Sequence, residues 1–279
     1  MANLKKKFPR AIGVIHLDPL PGSPGADHSH PADVLQRAGM RAILEARALV
    51  KAGFDGIIIE NFGDVPFLKN QVGAETIASM AVISAAVREA VAVPIGINVL
   101  RNDAKAALAI AAVTGADFIR VNVLSGVAAT DQGMIEGCAA ELMRERQRIH
   151  AHSIAILADV HVKHAKMISS DSLKLAIEEN AGRGGADAVI ITGTTTGRAP
   201  EEADLLDACE AARKLKIPLF IGSGITEESL EFLSRFPVGL IVGSALRKNG
   251  RAGTPLDTKR LQKFSRTLKS WKKRNQKRA

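Results

Sequence analysis

Cysteine is scarce in this sequence, with only Cys138 and Cys209 among 279 residues. Their spacing fits neither a disulfide framework nor a zinc site, so both read as buried apolar filler in a reducing compartment. No apolar stretch reaches the roughly 18 residues that a membrane-spanning helix needs. The basic start MANLKKKFPR is interrupted by Pro9 and Arg10, and no small-residue cleavage site follows, which argues against a secretion signal. Also missing are a GxGxxG or P-loop after the first apolar run, and an HExxH metal motif. These absences predict a cytoplasmic globular protein.

Charge is plentiful but unevenly placed. The net charge is +9, yet the stretch from Lys259 onward, KRLQKFSRTLKSWKKRNQKRA, holds ten Lys and Arg and no acid. Without it the body is near neutral, with 28 basic against 29 acidic residues. Leu261, Phe264, Leu268 and Trp271 recur at helical spacing and predict an amphipathic helix docked on the core. The expected division is a basic lead over 1–10, one domain over 11–270 and a basic tail over 271–279. Such a tail is suited to peripheral contact with an anionic membrane or nucleic acid. Homo-oligomerisation is a further expectation, from the habits of barrels.

From Ala11 the chain alternates short β-branched runs with Ala- and Leu-rich segments. The predicted strands cover 11–17, 55–60, 94–99, 117–123, 153–162, 187–193, 217–222 and 238–243. The predicted helices cover 31–52, 74–92, 102–114, 131–150, 171–183, 201–215, 226–235 and about 256–270. Three joints share one pattern, AGFDGIII, TGADFIRV and GGADAVII, with glycine where a helix ends and aspartate where a strand begins. Eight strand–helix units in about 260 residues predict an α/β fold, a single (β/α)8 TIM barrel.

Period-two alternation then sorts the strand residues, since the helix-facing side must be apolar. In SIAILADVHVKHA, Ile154, Ile156, Val160 and Val162 suit the helix layer, and Asp159, His161 and Lys163 point to the barrel axis. The same test turns inward His16 and Asp18 on the first strand, Glu60 on the second, Asn98 on the third, Arg120 and Asn122 on the fourth, and Thr192 on the sixth. All lie at C-terminal strand ends, the rim where barrel enzymes place their sites. Mixed carboxylates, imidazoles and cations there suit proton transfer on a polar substrate. Glu60, Asp159 and His161 are also a candidate set for a divalent metal as cofactor. His28, His30 and His164 read as loop histidines. The loop DPLPGSPGADHSHP after the first strand is a candidate lid.

The seventh strand ends in IGSGIT and the eighth in VGSALRKNG. Gly222, Ser223, Gly224, Gly243 and Ser244 therefore occupy the two loops where barrels often hold phosphate, and Thr192 and Gly193 of TGTTTGR adjoin them. This predicts a small phosphorylated metabolite as ligand.

The stretches VIHLDPLPGSPG, DGIIIENFGDVPF, INVLRNDAKAALAIA, FIRVNVLSGVAATDQGMIEG and ADVHVKHA resemble the BtpA family, also called BtpA/SgcQ, from about residue 10 to 255. The resemblance implies a ribulose-phosphate-binding barrel. It also implies a link to photosystem I biogenesis in photosynthetic members and to sugar metabolism elsewhere. Two functions follow as expectations. One is an isomerase, lyase or metal-assisted hydrolase acting on a sugar- or nucleotide-derived phosphate. The other is a non-enzymatic, membrane-peripheral assembly factor.

Overall fold

Each short β-branched run becomes a strand and most Ala/Leu-rich stretches become helices. The chain runs β1 (Ala11–His16), α1 (Pro31–Lys51), β2 (Gly56–Glu60), α2 (Ala74–Ala90), β3 (Ile95–Asn98), α3 (Ala104–Thr114), β4 (Phe118–Val121), β5 (Val127–Thr130) and β6 (Gly133–Glu136). It continues with α4 (Ala139–Arg148), β7 (Ala155–Val160), β8 (Ala165–Met167), α5 (Leu173–Glu178), β9 (Ala188–Ile191), α6 (Glu202–Leu215), β10 (Leu219–Ile221), α7 (Ser229–Leu233), β11 (Gly239–Val242) and α8 (Thr258–Asn275). These come from a computed structural model that describes residues 8–161, 165–168, 172–193 and 200–275. Among the described residues eight parallel strands close in the order β1-β11-β10-β9-β7-β4-β3-β2, the predicted (β/α)8 barrel.

The repeated Gly-x-Asp joints act as a register device. Gly53, Gly115 and Gly185 take positive φ, which lets each helix end turn back toward the sheet. The aspartate two residues on then accepts an N–H at the start of the neighbouring strand. Asp55 Oδ1 takes Ala11 N–H at 2.7 Å, Asp117 Oδ2 takes Ile95 N–H at 2.8 Å, and Asp187 Oδ2 takes Ile156 N–H at 2.9 Å. The N-terminal floor of the barrel is pinned three times by the same short pattern.

Inside the barrel the lower layers are apolar, with Ile12, Val14, Ile58, Leu157, Ile190 and Ile241 buried around Phe118 and Phe220. The two rings fit because glycine faces them. A Cβ on Gly96 would lie 2.1 Å from the Phe118 ring, and one on Gly239 would lie 2.4 Å from Phe220. Phe8 packs below, its ring 6.3 Å from that of Phe220, so the floor begins before the residue 11 boundary read from sequence.

Two other expectations are corrected. The helix placed at 131–150 starts only at Ala139, because residues 127–136 form a hairpin of β5 and β6. Gly133 at φ +93 makes that turn, and its D-Q-G sequence competes with helix formation. β8 pairs with β5, giving a three-stranded antiparallel sheet built from the connections after β4 and after β7. At the C-terminus, α8 continues through the expected tail start to Asn275, with Trp271 and Asn275 buried. Asn275 Nδ2 donates to Phe236 O at 2.7 Å, and Lys272 Nζ to Gly53 O at 2.7 Å. Among the described residues no helix is long and apolar enough to cross a membrane.

Candidate functional site

Above the apolar layers the barrel axis turns polar. Arg120 of β4 is its hub. Nε donates to Asp159 Oδ2 at 3.1 Å, Nη2 to Asp159 Oδ1 at 3.1 Å, and Nη1 to Glu60 Oε1 at 3.0 Å. Asn122 Nδ2 donates to Asp159 Oδ2 at 2.6 Å, and Asn98 Nδ2 to Glu60 Oε1 at 3.0 Å. His16 Nε2 faces the other oxygen, Glu60 Oε2, at 3.9 Å. Five barrel strands and the residue just past β4 thus carry one continuous array: His16, Glu60, Asn98, Arg120, Asn122 and Asp159. Burial works against the charge on Arg120. The carboxylates of Asp159 and Glu60 outweigh it through charge and hydrogen bonding, so the guanidinium pKa rises above its ordinary value.

Neighbouring residues make room for the array and aim it. A Cβ on Gly222 would lie 2.6 Å from Ile190 Cγ2 and 3.5 Å from Arg120 Nη2. One on Gly243 would lie 3.3 Å from His16 Cε1. His16 Nδ1 accepts Gly253 N–H at 3.2 Å, so its other nitrogen, Nε2, carries the proton toward Glu60 when the ring is neutral. Phe62 covers the imidazole, ring centroids 4.6 Å apart.

Several predicted residues stand elsewhere. Asp18 leaves the ring: it is half-exposed and ion-paired with Arg41 of α1, because β1 has ended before it and alternation no longer applies. His161 also lies past its strand. Its φ of +56° turns the imidazole off the axis into a side cavity shared with Asn122 and Asn180. Thr192 Oγ1 donates to His161 O at 3.0 Å, so that hydroxyl proton holds the turn and is not open to an anion. Ser223 is buried, and its Oγ accepts Gly193 N–H at 3.1 Å, tying the sixth barrel loop to the seventh. Ser244 is exposed at the rim and opens a short 3-10 turn beside Gly243. Lys163 and His164 lie outside the described residues, as does most of TGTTTGR.

The metal expected at Glu60, Asp159 and His161 is not supported by the donor set. The Arg120 guanidinium fills the space between the two carboxylates, and His161 has turned away. Among the described residues no three His, Cys, Asp or Glu converge to hold a metal.

The alternation test missed residues beyond the strand ends. Arg101, three residues past β3, is buried, which lowers its pKa, and it feels the charges of Asp131 and Asp159. Three buried polar groups lace successive rim loops together. Asp64 Oδ1 accepts Leu20 N–H at 2.9 Å, and Asn61 Oδ1 accepts Leu100 N–H at 2.7 Å. Asn102 grips Val123 from both sides, N–H and C=O each at 2.9 Å. The candidate lid after β1 is one of these laced loops, with Leu20 fully buried. Only the density of Asn and Asp in ENFGD and RND marks these positions in sequence.

The chain has relatives among known proteins. Residues 7–270 match the BtpA family. An uncharacterized protein of Pyrococcus horikoshii is 45% identical over 259 residues, covering 93% of this chain and 95% of its own length. The photosystem I biogenesis protein BtpA of Synechocystis is 46% identical over 253 residues, covering 91% and 85%. Among solved structures, phosphoribosyl anthranilate isomerase from Thermus thermophilus superposes with a TM-score of 0.56 at 12% identity, covering 94% and 98%. KGPDC from Streptococcus mutans gives 0.54 at 15%, covering 95% and 99%. These structural likenesses establish the barrel.

Proposed function

Because the chain belongs to the BtpA family, we propose that its barrel is an enzyme acting on a small phosphorylated metabolite at the C-terminal rim. The observation that carries this is the buried Glu60–Arg120–Asp159 array. Desolvating three charges is costly, and apolar residues of similar volume would fill the same space at least as stably. Glu60 Oε2, facing His16 Nε2, is the carboxylate oxygen left by Arg120 for proton transfer. Arg120 retains two N–H donors, one on each terminal nitrogen, for negative charge developing on a substrate. Ser244 and the glycine backbones of Gly224 and Gly243 supply the anion end. Phosphoribosyl anthranilate isomerase, of the same fold, is named for a phosphorylated compound. This set fits isomerase or lyase chemistry.

Thermal unfolding against sugar phosphates, nucleotides and inorganic phosphate, with and without divalent cations, tests the reading. A ligand at about 100 times its Kd adds roughly 2.7 kcal/mol, several degrees here. One phosphorylated compound should shift the transition, and Ser244→Asp should abolish that shift.

A second reading, a peripheral assembly factor, is supported by the name of the Synechocystis relative and by the exposed basic residues of α8, among them Arg266, Lys269 and Lys273. It gains if no compound shifts the transition while the protein sediments with anionic vesicles.

A further inference from the structure

His161 presents a problem that its surroundings answer. It sits in the left-handed region at the end of β7, held there by the hydroxyl of Thr192. Its ring lines a cavity of about 10 Å³ together with Asn122, Asn180, Ser125, Asp159 and Glu179. That is the space of about one water. Three of these residues carry a buried polar atom without a hydrogen-bond partner: His161 Nε2, Asn122 Oδ1 and Asn180 Oδ1. Asn122 and Asn180 are themselves only 5% exposed. Beneath them the chain leaves the α-helix for one π turn, Glu179–Arg183, which contains Asn180.

The orientation of both amides is fixed by their other ends. Asn122 Nδ2 donates to a carboxylate oxygen of Asp159, and Asn180 Nδ2 donates to Ala176 O at 2.8 Å. Both partners accept only, so each amide must present its oxygen to the cavity. Two acceptors therefore remain, beside one ring nitrogen. A water molecule has two protons for the amides and a lone pair for an N–H.

We propose that this cavity is a binding site for one water, which donates to Asn122 Oδ1 and Asn180 Oδ1 and accepts from His161 Nε2–H. The neutral imidazole is then held as its Nε2–H tautomer, with the basic lone pair on Nδ1. Asn122 and Asn180 are positioning residues. Asn122 also joins the two halves of the site, since its oxygen meets the water and its nitrogen meets Asp159.

The test needs no substrate, so it stands or falls separately from the enzymatic reading. Proton and nitrogen NMR of the wild-type chain at pH 8 should show His161 as the Nε2–H tautomer. A slowly exchanging Nε2 proton should give a cross-peak to long-lived water. A crystal structure should place one solvent molecule within hydrogen-bond distance of all three atoms. In Asn180→Leu, which fills the cavity, the water cross-peak should vanish. Asn122→Leu serves as a second variant should the first fail to fold. A proton on Nδ1 in the wild type, or Nε2 bonded directly to either amide, would overturn the proposal.

Discussion

Arg120 shows how much a single side chain decides at the top of this barrel. Its guanidinium pairs with both Glu60 and Asp159, whose side chains are 7% and 0% exposed. Arg120→Met keeps the volume and removes the charge, leaving two buried carboxylates without the guanidinium they share. The expected loss is about 3–5 kcal/mol, the range for breaking a buried pair from one side. Urea unfolding of the purified variant at pH 7.5 measures it. A variant as stable as the wild type would show that water reaches the carboxylates. Arg120 was legible in FIRVNV because alternation forces it inward between Ile119 and Val121. Arg101 was not, because it follows a strand end where no period operates, and only the folded loop brings it near Asp159.

At the scale of elements, the strand and helix order follows from hydrophobic period and from the Gly-x-Asp joints. The rim does not. The hairpin of β5 and β6 was hidden because GMIEG has one strong apolar residue and sits against a sound helical pattern. The asparagine and aspartate clamps between loops were hidden because their partners are backbone groups 20 or more positions away. Asp64 makes one such clamp testable by pH. Burial is the largest influence on it and raises its pKa above the ordinary 3.8, against the bonds from Leu20 N–H and Asn61. The folded state therefore holds this proton more tightly than the unfolded state. Its stabilising contribution is complete below pH 3.8 and is lost as pH rises through the folded value. Asp64→Asn removes that titration. The stability difference, wild type minus variant, should fall between pH 3.5 and pH 6.5 in urea titrations. A rising difference would mean that the hydrogen bonds outweigh burial.

For the whole molecule, α8 closes the fold. It returns to the floor of the barrel, where Ser265 Oγ donates to Ala52 O and Lys272 ion-pairs with Asp55, the same aspartate that sets the start of β1. Trp271 is 1% exposed, the largest fully buried side chain. Trp271→Ala should cost about 3–5 kcal/mol and lower the midpoint of thermal unfolding by several degrees. A loss below about 1 kcal/mol, within the range of ordinary surface substitutions, would mean that α8 is an appendage and not part of the barrel.

The small sheet β6-β5-β8 has a bearing on how this chain is divided. A (β/α)8 barrel invites description as eight interchangeable modules, or as two half-barrels joined at the middle. Here the connection after β4 and the connection after β7 share backbone hydrogen bonds, Ala128 beside Met167 and Thr130 beside Ala165. A cut through α4 would leave each fragment with an unpaired strand edge. A chimera that exchanged one module for a homologue's would have to exchange both connections together. The heritable unit at this end of the barrel is therefore a pair of modules, and the seam for recombining it lies before β4 or after α5.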